Sequence, residues 1–423
     1  VTLTAHASRR AKLVSFLQGS GGLAVAIMVM NVATYGFQLI AARRLGPEAY
    51  GGVASLMALL LVIGVVQLGL QATAARRIAA EPQHVGTIER VMRAVTLRAS
   101  LATGLVVLLL SPLVWKVLKL DSIWPALLVA VSAVPLTMSG GQAGILQGER
   151  RWLPLSLLYL ALGIPRVVLG TACIVLSPTE TAAMVGVTVA MFAPIGVGWW
   201  ALRRPRPDLD DQISAEQAHG HGFGSVAREG VRSSVALLAF FVLSNIDIVI
   251  ARNTLSHHQA GLYAGGLILT KAVLFLPQVV VVVAFPSMST EGEKRRALLR
   301  SLAAVALIGV ISILGAWLLS GIAMIFIGGS SYSAVEDRLW LFALVGTMLA
   351  LLQMLIYSVL ARQHRGASAL VWVAVAALAG IGLTVVNTLT QLVLTVVAVD
   401  TALTLVLLAL SLWSLRHEEH PAA

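Results

Sequence analysis

The stretch Ala42-Arg43-Arg44-Leu45-Gly46-Pro47-Glu48-Ala49-Tyr50-Gly51 separates two apolar runs, 21–41 and 51–73. Each run can cross a bilayer as a helix, which takes about 20 residues. Between them, paired arginines and a Gly-Pro step supply the charge and the backbone break that a hairpin of two spans needs. A weaker copy, Ala251-Arg252-Asn253-Thr254-Leu255-Ser256-His257-His258-Gln259-Ala260-Gly261, returns about 210 residues later between two further apolar runs. At that offset Ile40 coincides with Ile250, Ala41 with Ala251, Leu45 with Leu255, Gly51 with Gly261 and Ala54 with Ala264. The offset is close to half the chain, so two related halves are expected, with the helices near 31–73 and 234–285 at their core.

Composition agrees with a membrane reading. Of the 423 residues, 58% are hydrophobic and 12% charged. Soluble domains carry about 25% charged residues, so this chain could not wet its surface. Twelve spans are legible: 21–41, 51–73, 96–115, 124–145, 153–176, 181–202, 231–251, 260–285, 299–327, 339–361, 367–387 and 391–414. The expected fold is therefore an all-α polytopic membrane protein. Ahead of the first span, 9–18 reads as an amphipathic helix lying on the membrane surface.

The connecting segments alternate in charge. Arg9, Arg10, Lys12, Arg76, Arg77, Arg90, Arg93, Arg150, Arg151, Arg203, Arg204, Lys294, Arg295, Arg296 and Arg416 belong to one set. The other set holds only Arg43, Arg44, Lys116, Lys119, Arg252 and Arg338. Basic residues stay on the cytoplasmic side, so both termini are expected there. Most of the net charge of +11 is then topology signal, and nucleic acid is not expected as a partner. Arginine greatly outnumbers lysine and alanine is abundant, a coding bias that points to a bacterial cytoplasmic membrane. The polar segment 203–230 reads as a cytoplasmic linker between a lobe at 1–202 and a second at 231–423, six spans each. Six is even, so both lobes have the same orientation.

Four ionisable residues fall inside spans: Arg166, Asp247, Lys271 and Asp400. A charge there costs at least about 2.5–3.5 kcal/mol and needs a partner or a wet cavity. Two readings stay open. One is a pair of ion pairs, Arg166–Asp247 and Lys271–Asp400. The other is a cationic site built on Lys271 or Arg166. Uncharged polar residues run in stripes: Asn31, Thr34, Tyr35 and Gln38 on the first span, Gln67 and Gln71 on the second. On the seventh, Asn245 and Arg252 share a face, and on the eighth so do Tyr263, Lys271 and Gln278. Gly140, Gly144 and Gly148 are spaced for close helix packing. Cys173 stands alone, and His257-His258 and His219-Gly220-His221 lack the further ligands a metal site needs, so neither a metal nor a cofactor is expected. Without a large loop carrying paired carboxylates, no catalytic residues are expected either.

The run 42–51, the Gly69-Leu70 and Ala75-Arg76-Arg77 end of the second span, and Gln147-Gly148-Glu149-Arg150-Arg151 after the fourth resemble the polysaccharide-transporter family. So do Gly261-Leu262-Tyr263 and Phe285-Pro286-Ser287-Met288-Ser289 at the two ends of the eighth span. That family belongs to the multidrug/oligosaccharidyl-lipid/polysaccharide exporter (MOP) superfamily. The resemblance implies two six-helix lobes around a central cavity lined by the first, second, seventh and eighth spans. It further implies a flippase that carries a lipid-linked oligosaccharide or polysaccharide precursor outward by alternating access, with membrane lipids around it. On this reading Lys271 meets the sugar pyrophosphate, with Arg166, Arg252 and Arg43 toward the outer mouth and Asn31, Gln38, Tyr263 and Gln278 lining the cavity. Asp247 and Asp400 would take a coupling proton or sodium ion. The alternative is a multidrug or organic-cation antiporter of the same superfamily.

Overall fold

The computed structural model describes residues 19–203, 223–284, 294–361 and 365–419; side chains are described for 19–203, 237–275, 298–325, 327–356 and 368–412. The amphipathic segment 9–18, most of the expected linker at 203–230, and the Phe285–Ser289 motif lie outside the described residues. All regular structure among the described residues is helical. The helices are α1 (Ser20–Ala80), α2 (Val85–Val117), α3 (Trp124–Gly148), α4 (Trp152–Leu176), α5 (Glu180–Ala190), α6 (Ala193–Leu202) and α7 (Phe223–Thr254). They continue as α8 (His257–Ala284), α9 (Lys294–Leu318), α10 (Ser320–Ile327), α11 (Leu339–Ala361), α12 (Arg365–Thr384) and α13 (Leu389–Glu419). Nine stretches among the described residues are long and apolar enough to cross a membrane, and α1 holds two spans in one.

The expected hairpin turn at 42–51 is narrower than the sequence suggests. Helix α1 runs through it for 61 residues with one non-helical residue, Gly46, at φ 72° and ψ 174°. Only glycine adopts that backbone without a steric cost. Pro47 has no N–H to return to Arg43 and its ring fixes a helical φ, so the second span starts afresh there. Beside the break, the Tyr332 hydroxyl donates to the Ala42 carbonyl at 3.2 Å.

The chain separates into two compact units, and neither is a continuous half. The first comprises Val1–Gln38, Leu59–Lys116 and Leu120–Leu237; the second comprises Leu39–Ala58, Val117–Lys119 and Leu238–Ala423. The boundary after 237 lies within α7 rather than in the linker, and the kinked middle of α1 belongs to the second unit.

In the first unit, the three glycines of α3 do what their spacing predicts. A Cβ at Gly140 would strike the Gln67 backbone, one at Gly144 would strike Gln71 and Ala74, and one at Gly148 would strike Ile78. The partner numbers rise together, so α3 and the second span of α1 run parallel with their backbones in contact. Leu70, Ala74, Ile78, Met92, Val95, Ala143, Leu146 and Leu158 form the buried cluster beside this seam. Helix α2 buries Met92, Val95, Gly104 and Val107 and leaves Leu97, Leu101, Leu105 and Leu109 exposed, the apolar outer face expected of a lipid-facing span.

The sixth span breaks at Met191–Phe192 and restarts with Pro194 in the first turn of α6. Thr179 caps its start, accepting from the Ala182 N–H at 3.1 Å. At the other end, Arg93 and Arg151 donate to the carbonyls of Leu202 and Ala201, each at 2.7 Å. Two of the arginines that signal topology thus also satisfy carbonyls that a helix C-terminus leaves open.

The second unit is packed around α11, which touches α8, α9 and α13. Small residues again set the approach. Gly346 of α11 lies against the Thr270 carbonyl of α8, and the Thr270 hydroxyl donates to Phe342 at 2.9 Å. The ninth expected span, 299–327, is divided at Leu319 between α9 and α10.

Candidate functional site

Three helices of the second unit bring intramembrane charge together. Helix α7 contributes Ser244, Asn245 and Asp247, α8 contributes Tyr263 and Lys271, and α13 contributes Asp400. All are buried: Asp247 is 3% exposed, Lys271 9% and Asp400 1%. The Asp247 carboxylate accepts from the Tyr263 hydroxyl at 2.8 Å and from the Ile248 N–H at 2.9 Å. The Tyr263 ring is itself held edge-on against Phe342, their centroids 5.3 Å apart. Lys271 donates to the Ser244 carbonyl at 2.5 Å and lies within electrostatic reach of both aspartates.

The two aspartates are not equivalent. Asp247 has two donors aimed at it. Neither carboxylate oxygen of Asp400 has a hydrogen-bond partner among the described residues. One ammonium faces two carboxyl groups, so with both acids ionised the cluster would carry a net negative charge in a low-dielectric setting. Proteins avoid such a charge by binding a proton or a cation. Asn245 adds another unspent group: its amide nitrogen donates to Phe241 O at 2.8 Å and Ser244 Oγ at 3.0 Å, while its Oδ1 is buried without a partner among the described residues.

Of the residues singled out in the sequence, Asp247, Tyr263, Lys271 and Asp400 are brought together. Arg252 is also in the second unit, only 2% exposed, and its guanidinium is committed to backbone. Its Nε donates to Leu118 O at 2.7 Å and its Nη2 to Lys119 O at 2.6 Å. Neighbouring Asn253 donates to Val117 O at 2.9 Å, and Lys119 returns a bond to Asn253 O at 3.0 Å. The end of α7 is therefore clamped to the segment Val117–Lys119. Arg43 is exposed in the same unit. The Gln278 side chain lies outside the described residues.

Arg166, Asn31 and Gln38 belong to the first unit, the latter two half-buried. Arg166 points one nitrogen at the Met191 sulfur, 3.7 Å away, and its buried Nε has no hydrogen-bond partner among the described residues. The Ser244 carbonyl as the acceptor for Lys271 was not foreseeable, since any backbone carbonyl reads alike in sequence. The clamp role of Arg252 was equally hidden, because its acceptors lie more than 130 residues away in the chain.

A family profile described as "Polysaccharide biosynthesis protein" matches residues 16–291, well over half of the chain. The chain belongs to that family. No curated protein matches it. Solved structures place this member of the polysaccharide biosynthesis family in a known fold. It resembles an inward-facing multidrug resistance MATE transporter of the MOP superfamily at 14% identity and TM-score 0.72, covering 94% of this chain and 96% of that one. An outward-facing MATE structure gives 13% identity and TM-score 0.61, with 94% and 97% covered. A MOP-superfamily transporter from Pyrococcus furiosus, described as having a binding pocket of reverse polarity, gives 15% and 0.57, with 93% and 96% covered. At these identities the likeness establishes the MOP fold of this family member.

Proposed function

We propose that the protein is a flippase that moves a lipid-linked oligosaccharide or polysaccharide precursor across the bacterial cytoplasmic membrane by alternating access. The observation that carries this is family membership over residues 16–291 in a chain with the MOP fold: a polysaccharide biosynthesis protein built as a transporter. Intramembrane cations suit a substrate with a pyrophosphate head. Arg166 has a buried nitrogen without a hydrogen-bond partner among the described residues and Arg43 is exposed, so each can contact the phosphate on its way out. Lys271, engaged by Ser244 and flanked by Asp247 and Asp400, belongs to the cluster that exchanges a coupling proton or sodium ion as the protein cycles. No covalent step is needed, and the membrane lipid and the glycan carrier are the partners.

One observation favours the second reading, a multidrug or organic-cation antiporter: the unpartnered carboxylate of Asp400 could hold an organic cation. Reconstitution separates the two. Proteoliposomes loaded with a fluorescent polyprenyl-pyrophosphate saccharide should expose its sugar to an external lectin in a protein-dependent way, while ethidium movement stays at background. Ethidium efflux without lectin exposure would overturn the flippase.

A further inference from the structure

Away from the charged cluster, the first unit holds a polar group that the reading above does not use. Gln71 of α1 donates from one amide nitrogen to two acceptors, Gln147 Oε1 at 2.8 Å and Tyr159 Oη at 2.9 Å. Gln147 closes α3 and Tyr159 sits near the start of α4, so three helices meet at this network. Packing fixes it in place. Gly144 lies against the Gln71 backbone, and Leu155 and Leu158 in the turn before Tyr159 are buried.

The hydrogen-bond inventory shows what remains to be offered. The Gln71 amide has spent both N–H groups and keeps its carbonyl oxygen. Gln147 has spent its oxygen and keeps two N–H groups. Tyr159 has accepted and keeps its own O–H to donate. Gln147 is exposed, and Gln71 and Tyr159 are half-buried, so these groups face outward from the unit. A face of amide and phenol groups is not a lipid-facing surface, because hydrocarbon offers them no partners. It must be wet or filled by a polar ligand.

We propose that Gln71, Gln147 and Tyr159 form a recognition site for the sugar hydroxyls of the lipid-linked substrate, a reading that rests on the flippase function. A sugar hydroxyl donates one hydrogen bond and accepts others, so neighbouring hydroxyls match an unspent amide oxygen, an amide N–H pair and a phenol O–H held on one rigid surface. Because Gln71 already bonds both Gln147 and Tyr159, little side-chain freedom is lost when the sugar binds. The charge asymmetry of the connecting segments puts this end of α1, α3 and α4 at the cytoplasmic side, where a lipid-linked sugar made inside the cell would load. Arg150 is exposed three residues after Gln147, within reach of the pyrophosphate of a substrate whose sugar sits on this network. The network therefore reads the glycan, and the cations hold the phosphate.

The test compares two probes on the protein in nanodiscs: polyprenyl pyrophosphate carrying one hexose, and the same lipid without sugar. Wild type should bind the glycosylated probe about tenfold more tightly than the bare one, as two added hydrogen bonds would give. Gln147→Leu should remove that preference and leave the bare lipid's affinity unchanged. Tyr159→Phe, a milder change that keeps the ring, should reduce the preference in part. Equal binding of both probes by wild type, or a preference undiminished in Gln147→Leu, would overturn the sugar site while leaving the flippase standing. Failure of wild type to bind either probe would overturn both.

Discussion

The buried Arg252 separates a structural from a substrate-binding role, and Arg252→Gln is the change that does so. The guanidinium makes two bonds, 2.7 and 2.6 Å long, to the carbonyls of Leu118 and Lys119, with the residue only 2% exposed. A hydrogen bond from a charged group is worth about 1.5–3 kcal/mol in soluble proteins. Side-chain hydrogen bonds within membranes average nearer 0.6 kcal/mol. Two bonds therefore bracket the loss between roughly 1 and 6 kcal/mol. Short lengths and near-complete burial argue for the middle, about 3 kcal/mol, or roughly a hundredfold in the unfolding equilibrium. The remaining bonds, from Asn253 to Val117 and from Lys119 to Asn253, keep the clamp from dissolving altogether. The assay is denaturant unfolding of the purified protein in detergent. Arg252→Lys, which keeps the charge without the planar fork, should fall between wild type and Arg252→Gln. A variant that unfolds like wild type but no longer moves the glycan would refute the clamp and make Arg252 a substrate contact.

Three further outcomes follow from the same geometry. Gly46→Ala should cost about 1–2 kcal/mol by forcing a side chain into the left-handed region, whereas Gly36→Ala, open to a methyl group in the same helix, should gain about 0.5–1 kcal/mol; equal effects in unfolding experiments would contradict the kink. Lys271→Gln strands Asp400, which has no other partner among the described residues, a loss of about 3–5 kcal/mol that should lower abundance in the membrane fraction, and Asp400→Asn in the same chain should restore much of it; normal abundance of the single variant on an immunoblot would sink this. In a Cys173-free background, Thr87→Cys should react with an impermeant maleimide only from the cytoplasm and Ser256→Cys only from outside, and the reverse pattern would invert the topology.

The sequence carried much of the architecture because lipid imposes few solutions. Span lengths and the α3 glycines each report a constraint local to one helix; that these glycines pack on α1, and in parallel, comes from the structure. Depth and facing were legible for the same reason, which is how Asp247, Lys271 and Asp400 could be marked as needing partners. Periodicity says where on its own helix a residue points, but not which helix lies opposite. Hence Asp247 could be set against Arg166 from sequence, while the structure gives it Tyr263 and Lys271 as neighbours. Tyr159 carries no signal of its own in the sequence, because a single tyrosine in an apolar span looks like core filling until Gln71 is found beside it. The boundary within α7 was hidden too: a break in composition at 203–230 marks where the chain is polar, not where its contacts divide.

Gly51 and Gly261, the matching residues of the duplicated motif, meet in the second unit. A Cβ built on Gly51 would lie 3.1 Å from the Gly261 Cα and 3.3 Å from Arg252 Nη1, and one on Gly261 would strike the Pro47 carbonyl. If the halves descend from a self-pairing ancestor, this is a residue touching its own copy on the two-fold axis, where every substitution is made twice. Gene fusion lifts the constraint: the position equivalent to Arg252 is Ala42, so one copy could acquire a cation while the other kept a methyl group. Descendants should then show the two glycine positions drifting as a pair, each enlarging only where the other stays small, while 42 and 252 evolve as strangers.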